Sequence, residues 1–437
     1  MKKSDDFYAD IRRKKLRRNA AGLLAGLLVL LTALGAGIWL RETLEPEPDV
    51  VTTSPPAPPE STATAQVTAA ATQPEETTPA TEPERTVSPE TEAVMAVFNS
   101  MSLEEKICQL FIVRPEALCP QYPVTQAPEN LDALLAQYPV GGVALFGSNI
   151  ENRDQCTALT GAFQSASRVP LFICVDEEGG SVSRIGSNSA MGTTAFPDMA
   201  QIEGTQDAYN VGFTIGSEIK ALGFNVDFAP VADVNTNPNN PVIGPRSFGS
   251  DPETVASMVE ACVEGFREAG MISCLKHFPG HGDTSADSHT GSVSIDKTLE
   301  QLEQAELPPF RGGMDAGVPM VMVGHIACPN ITGNLLPASV SSKLVGELLR
   351  QQMGYEGLIV TDAMDMAAIT DQYGPGEAAV MALEAGCDMV LLPADLAEAT
   401  AAVRQAIEEG RLNLSRIDES VLRILRLKLD YGIIPTP

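Results

Sequence analysis

Residues 275–291 read Leu-Lys-His-Phe-Pro-Gly-His-Gly-Asp-Thr-Ser-Ala-Asp-Ser-His-Thr-Gly. Three of the chain's four histidines, His277, His281 and His289, fall inside this stretch, together with Lys276, Asp283 and Asp287. The residues just before Lys276, Met271 to Leu275, form a short apolar run that reads as a buried strand. After Lys276 a proline and three glycines forbid regular structure and impose a long, shaped loop. A strand ending in a glycine-rich loop with titratable groups is how a parallel α/β barrel presents its chemistry. A core histidine satisfied by backbone is the bland alternative, and three in one loop argue against it. A metal site is the other, since His277, His281, Asp283 and His289 look like a ligand set. Positions 277 and 281 would share a helix face, but Pro279 and Gly280 deny the helix, and no metal is expected.

Working outward, seven more apolar runs alternate with amphipathic stretches. Gln109–Val113, Gly142–Phe146, Leu171–Val175 and Val226–Val231 precede the strand at Ile272–Leu275; Met320–Val323, Leu358–Val360 and Met389–Leu392 follow it. Helical patterns occupy Pro252–Glu268, Thr298–Ala316 and Ser341–Gln352. Strand and helix in alternation imply a parallel sheet, and eight units imply closure into a single (β/α)8 TIM-type barrel. Ser102-Leu-Glu-Glu105 is a capping box at the start of the folded part. The last helix is expected over Asp418–Leu429, capped by Ser415 or a neighbour and ending at Gly432. No second domain is expected after it.

In such a barrel the strand ends carry function. The third strand ends in Asp176-Glu177-Glu178-Gly-Gly with Arg184 soon after; the fourth ends near Asp233, and its loop carries Arg246. The fifth ends in Lys276-His277, the sixth in His325, and the seventh in Asp362-Ala-Met-Asp365. The eighth offers nothing ionisable. An ion-pair lattice closing the barrel top would explain any one of these groups, less readily all of them. Asp362 ends a strand so apolar that its charge needs donors, and Lys276, Arg184 and Arg246 are the candidates.

The runs VDEEGG, IGPRSF, KHFPGHGDTSADSH and IVTDAMDM, in that order, resemble glycoside hydrolase family 3. Within it they look like the bacterial β-N-acetylglucosaminidases that act on peptidoglycan fragments. The resemblance covers roughly residues 100–432. It implies that Asp362 is the nucleophile of a covalent glycosyl-enzyme, and that His289 with Asp287 is an acid/base dyad. It implies that Asp176, Arg184, Arg246, Lys276 and His277 bind the hydroxyls of the terminal N-acetylglucosamine. Two departures stand out. Ala363 follows Asp362 where many members have a second carboxylate, and the longer relatives that share this variant add a C-terminal domain. A histidine titrates near neutrality without help, so a carboxylate partner two residues away suffices to tune it. A β-glucosidase, a phosphorylase of the same family and an inactive wall-binding module remain the alternatives, and no cofactor is implied.

The N-terminal part differs in kind. Eight basic residues lie within residues 1–19, a cytoplasmic tail; residues 20–40 carry no charge and suffice to cross a bilayer core of about 30 Å. The charge asymmetry predicts a membrane anchor with everything after it outside the cytoplasm. Residues 41–93, rich in Pro, Thr, Glu and Ala, predict a disordered tether, which leaves 94–437 as the catalytic domain. Up to Arg41 there are nine basic and three acidic residues. Taking them from totals of 29 and 57 leaves 20 against 54, a net −34 that excludes nucleic acid as a partner. The single tryptophan, Trp39, lies in the anchor, so no indole platform exists for a long glycan. Of the eight cysteines, Cys108 and Cys119 are candidates to pair, and Cys174 and Cys274 read as small buried apolar residues. The partners expected are a membrane and an N-acetylglucosamine-containing glycan or muropeptide, with the protein a monomer.

Overall fold

The computed structural model describes residues 89–119 and 121–435. The tail at 1–19, the anchor at 20–40 and the tether as far as residue 88 lie outside the described residues. No helix among the described residues is long and apolar enough to cross a membrane.

All eight expected strands form. They are β1 (Phe111–Val113), β2 (Gly142–Ala144), β3 (Phe172–Val175), β4 (Val226–Asp227), β5 (Ile272–Phe278), β6 (Met320–Val323), β7 (Leu358–Thr361) and β8 (Val390–Leu391). They make one parallel sheet in the order β7-β6-β5-β4-β3-β2-β1-β8. The ends of that series approach each other: Val360 bridges Met389 in parallel, and Thr361 N–H donates to Met389 O at 3.1 Å. The sheet is a nearly closed barrel of the TIM type. Its strands are buried on both faces, which is why they read as unbroken apolar runs rather than alternating ones.

Several boundaries differ from the sequence expectation, each for a local reason. Helix Pro89–Asn99 begins inside the stretch expected as tether, because Val94, Val97 and Phe98 recur at helical spacing and pack on the core. The stretch 298–316 is two helices, Leu299–Ala305 and Leu307–Asp315, since Pro308 and Pro309 donate no backbone hydrogen bond. The last helix runs Leu414–Asp430 and is capped by Asn413, whose side chain accepts from Ser415 N–H. The capping box at Ser102 and Glu105 is formed as read. Cys108 and Cys119 do not pair; all eight cysteines are free thiols, buried, and burial raises every one of them.

Polar groups buried near the starts of the strands join the last helix to the barrel. Asp388, 0 % exposed, accepts from Ile359 N–H at 3.0 Å and Ser420 Oγ at 2.7 Å. Three guanidiniums surround it: Arg350 at 2.7 Å, Arg423 at 3.2 Å and Arg416 at 3.5 Å. Lys428 is likewise buried, hydrogen-bonded to Gln109 Oε1 at 2.9 Å and 4.9 Å above the Phe172 ring; burial pulls its pKa down to about 7.

Candidate active site

The strand ends converge on one cavity of about 200 Å³. Its floor is ionic. Glu178 takes both prongs of Arg246, at 2.8 and 2.7 Å, and the Lys276 ammonium at 2.6 Å. Lys276 also holds Asp176 at 2.7 Å while 2 % exposed. Burial would raise the Glu178 carboxyl, but Lys276 and Arg246 overcome it and hold the pKa at about 2. The same carboxylates outweigh burial for Lys276 and push its pKa up. Such a floor stays charged at any ordinary pH and offers fixed donors and acceptors to hydroxyl groups.

Local backbone explains how these groups arrive. Asp176 and Glu178 are two residues apart in extended chain and therefore face the same way. Glu177 faces the other way, into the turn 183–186, where it accepts from Ser183 Oγ and from the N–H groups of Arg184, Ile185 and Gly186. That turn sets Arg184 in the cavity wall, its Nε buried without a partner among the described residues. On β5, Leu275 and Phe278 pair with Val321 and Val323, so the strand bulges by one residue at Lys276–His277. A bulge re-aims side chains, and here it turns both residues into the cavity.

Behind the floor, Asp233 is fully buried and binds the loop root. It meets His277 Nδ1 at 2.7 Å and accepts His281 N–H at 2.6 Å. Burial raises Asp233, yet His277 and the hydrogen bonds more than compensate, leaving it an ionised acceptor. His281 is spent within the loop. Its Nδ1 lies 2.7 Å from Thr284 Oγ1 and its Nε2 3.1 Å from Ser288 Oγ, and burial lowers its pKa. Gly282 has to be glycine, because a Cβ there would sit 1.7 Å from Val234 O. Both ring nitrogens of His281, and Nδ1 of His277, are thus engaged. Among the described residues no three His, Cys, Asp or Glu are grouped to hold one.

Asp362 follows β7, half-buried, and also lines the cavity. Its Oδ1 accepts from Ala363 N–H at 2.7 Å. Of the three donors expected for it, Arg246 and Lys276 bind Glu178 and Asp176 instead, and Lys276 acts on Asp362 only through its charge. Burial alone would raise the Asp362 carboxyl, but the imidazoles of His277 and His325 help to hold it below the ordinary range. His325 is buried and pins the next peptide, with Nε2 2.9 Å from Ala363 O and Nδ1 2.8 Å from Ser339 Oγ.

His289 stands at the cavity wall on the exposed half of the loop. Asp287 lies behind it: its Oδ1 is 2.8 Å from His289 Nδ1 and accepts His289 N–H, also at 2.8 Å. Burial would raise Asp287, and these two hydrogen bonds lower it. With Nδ1 so engaged, Nε2 is the nitrogen left to exchange a proton.

All eight candidates from the sequence therefore belong to this one site, seven in the wall and Asp287 behind it. The sequence placed Glu178 and Asp233 at strand ends without giving them a role, and Arg114 was not singled out. The two-residue spacing of Asp176 and Glu178 was a usable signal for the first. Arg114, a lone cation after β1, gave none.

Residues 102–427 match the Glycosyl hydrolase family 3 N terminal domain. The chain is 39 % identical over 338 residues to Beta-hexosaminidase A of Pseudoalteromonas piscicida, covering 70 % of this chain and 56 % of that protein. It is 36 % identical over 340 residues to Beta-hexosaminidase LpqI of Mycobacterium tuberculosis, covering 75 % and 83 %. Among solved structures, a glycoside hydrolase family 3 beta-N-acetylglucosaminidase from Paenibacillus sp. superimposes with a TM-score of 0.72 at 38 % identity, over 76 % of this chain and 63 % of that one. The chain thus spans little more than half of the first of these relatives. By the match over residues 102–427, and by the barrel that carries it, the chain belongs to glycosyl hydrolase family 3.

Proposed function

We propose that this chain is a retaining exo-β-N-acetylglucosaminidase that removes terminal N-acetylglucosamine from muropeptide-like glycans. The observation that carries the reading is that Asp362 and His289 line one cavity, on the scale of a single sugar, above an ionic floor. A small cavity favours an end residue over an internal one. The relatives named as hexosaminidases support the acetamido sugar.

In the first step an Asp362 oxygen bonds to the anomeric carbon as the glycosidic C–O bond breaks. The leaving oxygen takes the proton from His289 Nε2. In the second step His289 Nε2 takes a proton from water, the water oxygen bonds to the anomeric carbon, and Asp362 departs as a carboxylate. Asp287 favours the cationic imidazole on which both transfers depend.

The test is a panel of N-acetylglucosaminides and glucosides assayed with and without phosphate. Release of free N-acetylglucosamine, indifferent to phosphate, supports the reading. Release of a sugar phosphate would favour a phosphorylase, a second reading suggested because an imidazole repels phosphate less than a carboxylate does. No turnover at all would leave a binding module.

His289→Ala gives a sharper result. Acid help matters most for a poor leaving group, so a natural disaccharide should lose far more turnover than a nitrophenyl glycoside. With the nitrophenyl substrate, breakdown of the glycosyl-enzyme becomes slow and azide should restore it. Equal losses on both substrates without azide rescue would make His289 a binding residue.

A further inference from the structure

The cavity has two unlike walls. The side from β3 to β5 carries the ionic groups Asp176, Glu178, Arg184, Arg246 and Lys276, with Phe228 and two valines between them. The side from β1, β2, β8 and the turn after β7 is apolar, with Phe146, Met366, Leu391 and Leu392, except for two residues. Arg114, which follows β1, and Asp365, three residues after Asp362, are ion-paired at 3.1 Å. The guanidinium carbon of Arg114 lies 4.2 Å from the Phe146 ring centroid, which fixes its plane. Arg114 Nε is buried without a hydrogen-bond partner among the described residues.

We propose that Arg114 and Asp365 read the acetamido group at carbon 2 of the terminal sugar, and so set the choice of N-acetylglucosamine over glucose. The proposal rests on the hexosaminidase reading and adds the residues that would discriminate.

Asp362 marks where the anomeric carbon must sit, and carbon 2 is bonded to that carbon. The ionic floor suits the ring hydroxyls, which lie farther round the ring. An acetamido group needs one donor for its carbonyl, one acceptor for its N–H and an apolar surface for its methyl. Arg114 supplies the donor through its unpartnered Nε, Asp365 supplies the acceptor, and Met366 and the two leucines supply the apolar surface. A glucose hydroxyl in the same place would leave Nε without its acceptor, and a site with unpaired polar groups discriminates strongly.

The test compares kcat/KM for nitrophenyl N-acetyl-β-glucosaminide and nitrophenyl β-glucoside, which share one leaving group. Arg114→Met and Asp365→Leu should each reduce the preference for the acetamido sugar by about tenfold to a hundredfold, the usual worth of a hydrogen bond to a charged group. Asp365→Asn keeps a side-chain carbonyl to accept the N–H and should retain most of the preference. Equal losses on both substrates would make the pair structural and overturn the proposal, as would an unchanged ratio in active variants. Wild-type turnover of the glucoside alone would sink the hexosaminidase reading itself. Should Arg114→Met fail to fold, the wild type with the 2-amino nitrophenyl glycoside probes the same contact. Turnover as fast as with the acetamido substrate would overturn the proposal, and a loss of tenfold or more would support it.

Discussion

Asp362→Ala should lose about 10³-fold or more in turnover on every glycoside the protein accepts, a barrier increase of about 4 kcal/mol or more. The size follows from what the side chain does in the proposed cycle: it forms and breaks the covalent bond, so no neighbour can share the work. Burial of a carboxylate would ordinarily favour its neutral form, which is a poor nucleophile. Here the imidazoles of His277 and His325 and the N–H of Ala363 keep it ionised. Because the folded pKa lies below the ordinary one, lowering pH through the mildly acidic range should leave the nucleophile charged. The chemical check is a mechanism-based fluoroglycoside. It should label the peptide containing Asp362, and label found on Asp365 or Asp176 would move the nucleophile there.

Asp388→Ala should cost about 3–5 kcal/mol of stability, the range for breaking a buried ion pair from one side. The substitution removes the counter-charge from three guanidiniums and leaves Ile359 N–H and Ser420 Oγ without their acceptor. It also strikes the sheet where pairing is thinnest, beside the single bridge from Val360 to Met389. Denaturant unfolding of the variant should show the loss in the midpoint with little change in slope. Per folded molecule, kcat should be near that of the parent, since Asp388 lies at the opposite ends of the strands from Asp362. A loss under about 1 kcal/mol would mean that water reaches the site and replaces the carboxylate.

The strands were legible because a parallel barrel buries both faces, so each announces itself as a short apolar run. Their ends were less so. The run Val226–Val231 contains Pro230, which cannot donate to the ladder; β4 stops at Asp227, and beyond it Ala229 and Pro230 only accept from β5 before the bridge from Val231 to Lys276. The residues of the rim were legible one strand at a time, but their pairing was not. Arg246 reaches Glu178 from another loop, 68 residues along the chain, and no local pattern reports that. Glu177 and Glu178 look equivalent in sequence. Strand alternation sends one to the turn around Arg184 and the other to the cavity floor. The boundary at 94 fell inside helix Pro89–Asn99, because its first five residues share the Pro, Thr, Glu and Ala of the tether while its apolar residues Val94, Val97 and Phe98 lie beyond them.

The eight free, buried thiols have a consequence for what happens when the fold is lost. A thiol attacks as its thiolate, and burial raises the pKa of all eight, so the folded protein offers oxidants almost nothing to react with. Unfolding abolishes that protection for every sulfur at once. Eight thiols admit on the order of a hundred fully paired arrangements, and the native state uses none of them. In an oxidising medium, heat inactivation should therefore be a one-way event, limited by the rate of unfolding rather than by its equilibrium. Activity recovered on cooling should rise sharply when a reductant is present. Equal recovery with and without it would mean that the chain refolds before its thiols can find one another.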